Sequence, residues 1–308
     1  MRLLFVFIDG VGLGLEQPDN PFYTTETRGI SAILGGRGLT AAAAGFCGEQ
    51  ASLCSLDATL GISGLPQSAT GQAAIFTGLN APEYLGGHLN GFPDHKLRKL
   101  LATKGLFRQL KSDHYKVVFA NAYRPPFFDL LRRGLLGNHY SCSTLVTYYG
   151  GLPFFSLKDL EAGHALFMDI TNDILQKMGF HVPLITPEQG AERLLEICKC
   201  HDFTMFEYFL SDLAGHMADQ AEAEKVILIL DRFIGTLAAK MNFDDTMLVI
   251  ASDHGNLENL SGRVHTLNKV PALLVGNREL RLQLQHQLHD LTDLLPAFKK
   301  ALAWKGIN

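Results

Sequence analysis

The sequence predicts an α/β fold built on a doubly wound, mostly parallel sheet. Three observations carry this expectation. Short apolar runs bounded by turn residues recur along the chain, helical patterns lie between them, and acidic residues stand just past the runs.

The runs are Leu3 to Ile8, Val117 to Ala120, Met205 to Leu210 (interrupted by Glu207), Met247 to Ala251 and Ala272 to Val275. Near-continuous apolar stretches of this length suit strands covered on both faces, as in a parallel sheet. Between them, Ala221 to Met241 repeats apolar residues at three- and four-residue spacing, and Leu282 to Leu302 does so with a break expected near Pro296. Asp9, Asp212 and Asp253 each follow one of the runs. Open α/β sheets bind ligands outside the carboxyl ends of their strands, so three aspartates are expected to converge at one edge.

With 308 residues and 33.8 kDa, the chain can form one large domain or two ordinary ones. Hydrophobic residues at 47% and charged residues at 19% give enough apolar material for a sizeable core. The formal net charge of −4 gives no reason to expect nucleic acid or an anionic membrane as partner. No apolar run approaches the ~20 residues that span a bilayer. The apolar start, Leu3 to Ile8, is too short for a secretory signal and reads better as a buried strand, so a cytoplasmic protein is expected. Five cysteines, with Cys198 and Cys200 one residue apart, suit neither a disulfide framework nor a zinc knuckle.

Residues 89–194 differ in composition. They carry 13 Lys and Arg against 9 Asp and Glu, a net of +4, whereas the remainder carries −8. This segment is expected to be an inserted cap over the site, with 1–88 and 195–308 forming the core. Continuation of the sheet through Val117 to Ala120 is the other reading.

The chemistry begins at Ser252-Asp253-His254-Gly255-Asn256, directly after an apolar run. Eleven residues beyond His254 stands His265, and upstream Asp212 and His216 are four apart, a spacing that puts both on one side of a helical turn. Asp9, Asp212, His216, Asp253, His254 and His265 form a mixed set of carboxylates and imidazoles that zinc or manganese accepts. Six such ligands suffice for two ions, a recurring device of phosphoryl-transfer enzymes. The candidate nucleophile is Ser68, in Gln67-Ser68-Ala69-Thr70-Gly71-Gln72 ahead of an apolar helical pattern. A helix start favours an anionic phosphate there. Thr70 is the rival hydroxyl, as nucleophile or helix cap. His88, His95, His164 and His181 read as ordinary polar contacts.

Taken together, Phe7-Ile8-Asp9-Gly10-Val11-Gly12, Leu65 to Gln72, Asp212 to His216, Ser252 to Glu258 and His265 to Pro271 resemble the alkaline phosphatase metalloenzyme superfamily. The branch that looks nearest holds cofactor-independent phosphoglycerate mutases and phosphopentomutases. The blocks span residues 1–80 and about 200–280, in the family's order. The resemblance implies an alkaline-phosphatase-type core in which Asp9, Ser68, Asp253 and His254 hold one metal and Asp212, His216 and His265 the other. The pair would be manganese or zinc, with magnesium also admitted. It further implies that Ser68 attacks phosphorus and forms a phosphoserine. The chain departs from the mutases in lacking their large inserted domain and in ending the serine block at Gln72, where theirs ends in histidine.

The function expected is therefore hydrolysis of a small phosphomonoester, with Arg124, Arg132 or Arg133 as contacts for a phosphorylated metabolite. The alternatives are a compact mutase or phosphotransferase, a phosphodiesterase or sulfatase, and a metal-stabilised protein that binds phosphorylated metabolites without turnover.

Overall fold

A computed structural model describes residues 1–134 and 139–306. Six strands form one sheet: β1 (Arg2–Ile8), β2 (Ala51–Leu56), β3 (Val117–Phe119), β4 (Phe203–Tyr208), β5 (Thr246–Ala251) and β6 (Val270–Val275). Their order is β2-β6-β5-β1-β4-β3. The middle of the sheet is parallel, β1 pairing with β4 and β5, and β4 with β3. β6 runs antiparallel to both β5 and β2.

The strands are buried on both faces, which is why their sequences are almost continuously apolar. Successive side chains point to opposite sides of a sheet. Leu3, Phe5 and Phe7 of β1 accordingly enter one core with Phe203, Met205, Met247 and Val249, and with Phe76 and Phe298 of the covering helices. Leu4, Val6 and Ile8 enter the other, with Phe206, Tyr208, Leu248 and Ile250, covered by Ile227, Leu230, Phe233 and Ile234. Phe7 meets Phe76 edge-on with ring centres 5.6 Å apart, and both are fully buried. Burial of each such ring is worth about 1.5–3 kcal/mol.

Four of the five anticipated strands appear nearly as read, but β4 begins at Phe203 and ends at Tyr208, because Leu210 opens a helix. β2 escapes the sequence reading. Its run Ala-Ser-Leu-Cys-Ser-Leu looks polar at two positions, yet Ser52 is fully buried and accepts a hydrogen bond from Arg281 Nη1 at 2.7 Å. The long C-terminal pattern breaks ten residues before Pro296. One helix covers Arg278–Gln285, and another, Leu294–Ala303, carries Pro296 in its first turn, where the missing N–H has no intrahelical partner to lose.

Within 89–194, β3 joins the sheet as an edge strand. The helices His95–Lys104, Leu106–Ser112 and Cys142–Tyr149 place Leu97, Leu101, Phe107 and Leu145 in the first core. A separate small cluster gathers Ala122, Leu160, Ala165, Phe167, Leu175 and Val182.

Register positions the site. Ile8 pairs with Tyr208 and Phe7 with Ala251, so β1, β4 and β5 end at the same edge. Because β6 runs the other way, it begins at that edge, and the segment leading into it brings His265 there. β2 ends opposite Val270, which returns the chain to the same edge ahead of Ser68.

Candidate metal centre

Asp9 leaves β1 with its N–H donating to Tyr208 O at 2.9 Å, and its carbonyl accepts from Ser211 Oγ at 2.6 Å. Gly10 follows at φ +70, and a Cβ there would stand 2.7 Å from Asp212 Oδ1. Only glycine lets the β1 turn and Asp212 approach this closely. Asp212 and His216 sit on the helix Leu210–Met217 rather than on a loop, facing the same way at four-residue spacing. Their side chains are 3.4 Å apart, from Nε2 to Oδ2.

Ser68 opens the helix Ser68–Thr77, after Gln67 in extended conformation. Its Oγ lies 2.9 Å from Nε2 of His254. That Nε2 is also 3.2 Å from Asp9 Oδ1 and 3.6 Å from Asp253 Oδ2. On the other side, His265 Nε2 is 3.2 Å from His216 Nε2 and 3.6 Å from Asp212 Oδ1. The rings of His254 and His265 stack with centres 3.7 Å apart. The structure thus brings all seven expected residues into one cluster.

Three of their neighbours orient the histidines from behind. Pro66 O lies 2.8 Å from His265 Nδ1, Arg263 O lies 3.0 Å from His216 Nδ1, and Gly255 O lies 3.4 Å from His254 Nδ1. A carbonyl on the far ring nitrogen fixes the tautomer and turns Nε2 towards the centre.

Burial and charge shift these groups in opposite senses. Burial pushes the Asp9 carboxyl well above the usual carboxylate range, and the charge of Asp253 adds to that. Burial alone would pull His254 down, but Asp253 and Asp9 outweigh it and push the imidazole up to about 10. His265 is pulled down by burial and then by His254. The centre is therefore an excess of buried negative charge that calls for a cation.

The donor atoms fit two. Asp212, His216 and His265 each offer a ligand atom within 4.8 Å of the others, and so do Asp9, Asp212 and His254. Asp212 belongs to both groups. Asp9 Oδ1 is buried, and its neighbour is His254 Nε2 at 3.2 Å, itself a donor atom of the same group.

Four residues with no anticipated role complete the site. Gln72 donates to Asp9 and Asp253, and Asn256 Nδ2 donates to Asp212 Oδ1 at 2.7 Å. Glu258 accepts from the N–H groups of Gly12 and Asn256, both at 2.8 Å, and from Asn268 Nδ2 at 3.0 Å, tying three loops together. Glu207 accepts from Ser143 Oγ at 2.7 Å, and burial, with Asp253 nearby, pushes its carboxyl up to about 7. Gln72 was within reach of sequence reasoning, since it lies one helical turn beyond Ser68.

The remaining candidates lie elsewhere. Thr70 is fully buried, donating to Gln67 O at 3.2 Å and accepting from Leu89 N at 3.3 Å. Arg124 contacts Met178 Sδ, Arg132 pairs with Asp129, and Arg133 is exposed at the end of the helix Pro125–Arg132. None of the three arginines enters the cluster.

Residues 176–295 match the family model of the Metalloenzyme superfamily. The match covers 120 residues, less than half of the chain. That segment contains Asp212, His216, Asp253, His254 and His265, five of the seven clustered residues. A stretch of 110 residues is 28% identical to the 2,3-bisphosphoglycerate-independent phosphoglycerate mutase of Prochlorococcus marinus, covering 32% of this chain. The chain spans only about a fifth of the length of that relative, 20%. Over the whole chain the fold is similar to that of solved structures. The alkaline phosphatase from the Antarctic bacterium TAB5 superposes with TM-score 0.51 at 11% identity, covering 99% of this chain and 98% of that one. A protein from Pyrococcus horikoshii superposes with TM-score 0.59 at 13% identity, covering 100% and 98%.

Among the described residues, no helix is long and apolar enough to cross a membrane.

Proposed function

We propose that this chain is a metal-dependent phosphohydrolase that cleaves a small phosphomonoester through a phosphoserine on Ser68. The observation that carries the reading is the position of Ser68 Oγ, 2.9 Å from His254 Nε2 at the first residue of a helix.

In this reading Asp9, Ser68, Asp253 and His254 hold one divalent ion and Asp212, His216 and His265 the other, with Asp212 reaching towards both. Manganese or zinc suits the mixed donor set best, and magnesium is admitted. When bound, two such ions neutralise charge on a phosphoryl group and favour the ionised form of a hydroxyl they touch.

The chain's own contributions follow from the geometry. Ser68 Oγ supplies the attacking oxygen: it bonds to phosphorus as the bond to the leaving alcohol breaks, and water later takes the phosphoryl group from it. The first amides of the Ser68 helix receive no side-chain cap from Gln67, which leaves them free for phosphoryl oxygens. Carbonyls behind the histidines and Asn256 against Asp212 hold the cluster in place before any substrate arrives.

The segment 89–194 is proposed to shelter this edge. Cys142 Sγ reaches Ala69 O at 3.3 Å, so the helix Cys142–Tyr149 touches the helix that carries Ser68. Arg124 and Arg133, exposed on that segment, are proposed to meet the rest of a phosphorylated metabolite, whereas Arg132 is engaged by Asp129. A cytoplasmic setting is part of the proposal and is supported by five cysteines, all unpaired.

A second reading, transfer of phosphate between positions of one metabolite, is favoured by the partial match to phosphoglycerate mutases. Phosphate release from an aryl phosphomonoester separates these. Chelator-treated protein reloaded with manganese or zinc is expected to release phosphate, and Ser68→Ala is expected not to. Undiminished release by the variant sinks the proposal. Label kept within the metabolite favours the mutase reading.

A further inference from the structure

We propose that Gln72 is a positioning residue: its neutral amide aims the carboxylates of Asp9 and Asp253 into one ion subsite. The inference rests on the two-ion reading above.

Gln72 stands one turn beyond Ser68, on the same side of the same helix, and is 4% exposed. Its Nε2 lies 3.2 Å from Asp9 Oδ2 and 3.2 Å from Asp253 Oδ2. A side-chain amide has two N–H donors, so one group can serve both acids at once. That fixes which oxygen of Asp9 remains. With Oδ2 held by Gln72, Asp9 presents Oδ1, which is buried and faces His254 Nε2 at 3.2 Å. Asp253 is held from both sides, since its Oδ1 accepts from Gly10 N at 3.3 Å.

The choice of an amide has a physical reason. Two carboxylates brought together in a buried site repel each other strongly. An amide bridges them with the positive ends of two N–H dipoles and adds no net charge to compete with a divalent cation. A histidine at this position offers a single N–H towards the pair, and its protonated form opposes the cation. Methionine keeps the volume and flexibility but donates nothing.

The test is calorimetric titration of manganese into chelator-treated full-length protein. Wild type is expected to take up two ions. Gln72→Met is expected to weaken one of them by about 10- to 100-fold while the other stays within about twofold. The inference is overturned if both ions bind the variant as tightly as wild type. It is equally overturned if both weaken together, because that marks a general structural role. Should the methionine variant not fold, Gln72→His keeps one donor and is expected to weaken the same single ion, and wild-type affinity at both sites again overturns the inference. Uptake of fewer than two ions by wild type overturns the two-ion reading itself, and is seen before any variant is made.

Discussion

Ser68 Oγ and His254 Nε2 are 2.9 Å apart although 186 positions separate the two residues in the chain. The approach depends on Gly71, where a Cβ would stand 2.8 Å from the carbonyl oxygen of Asp253. Gly71→Ala is expected to push the Ser68 helix off the β5 loop and to cost about 1–3 kcal/mol, the usual range for overpacking a filled interior. Denaturant unfolding measures the cost, and phosphate release is expected to fall further than the lost stability explains. A fully stable and active alanine variant would show that the helix has room to spare.

Ser68→Ala removes the proposed attacking oxygen and one proposed ligand of an ion. Phosphate release is expected to drop about a thousandfold or more, the scale seen when a nucleophile is deleted. The circular dichroism spectrum is expected to match wild type, since the hydroxyl contributes one contact within a cluster of seven residues. Stopped-flow or long-timescale assays with the same aryl ester read the difference.

His216 is the most exposed of the three clustered imidazoles, with a side chain 40% exposed, and it lies beside Asp212 and His265 but not Ser68. His216→Ala is expected to lower manganese content after dialysis from two ions per chain to one. Elemental analysis of the dialysed protein decides this. Retention of two ions would place His216 outside the ligand set.

Glu207 gives the chain a pH signature. Burial raises its carboxyl to about 7, against an ordinary 4.5 when unfolded. A raised carboxyl binds its proton more tightly in the folded state, so its contribution to stability is fully present below about pH 4.5 and is lost as pH rises through about 7. The full swing is on the order of 3 kcal/mol. Metal-free wild type is expected to lose stability across this window relative to Glu207→Gln, which has no proton to lose. Parallel slopes for the two proteins in urea unfolding from pH 5 to 8 would remove Glu207 as the source.

Much of the site was legible because its residues announce themselves locally. Asp9, Asp212 and Asp253 follow apolar runs, His254 adjoins Asp253, and His216 sits one helical turn from Asp212. Polar residues just past buried strands are what the edge of an α/β sheet requires. Three of the four supporting residues were less visible. Asn256 and Glu258 lie inside a motif but carry no separate signature, and Glu207 reads as an interruption of a strand. Their meaning depends on which loops they touch. β2 was missed for a related reason: Ser52 is tolerated in the core only because Arg281 reaches it from 229 positions away.

The sequence alone therefore determined the class of fold, the edge at which the chemistry gathers and the identities of the clustered residues, because strand burial and strand-end chemistry are written in neighbouring positions. The tertiary structure decided the pairing of those residues. The antiparallel turn of β6 delivers His265 to the edge where β1, β4 and β5 end. The absence of side chains at Gly10 and Gly71 lets Asp212 and the Ser68 helix close in. Asp212 lies near both His254 and the His216–His265 pair, and Gln72 faces two carboxylates, because hydrogen bonds and charge act over a few ångströms in space whatever the distance along the chain.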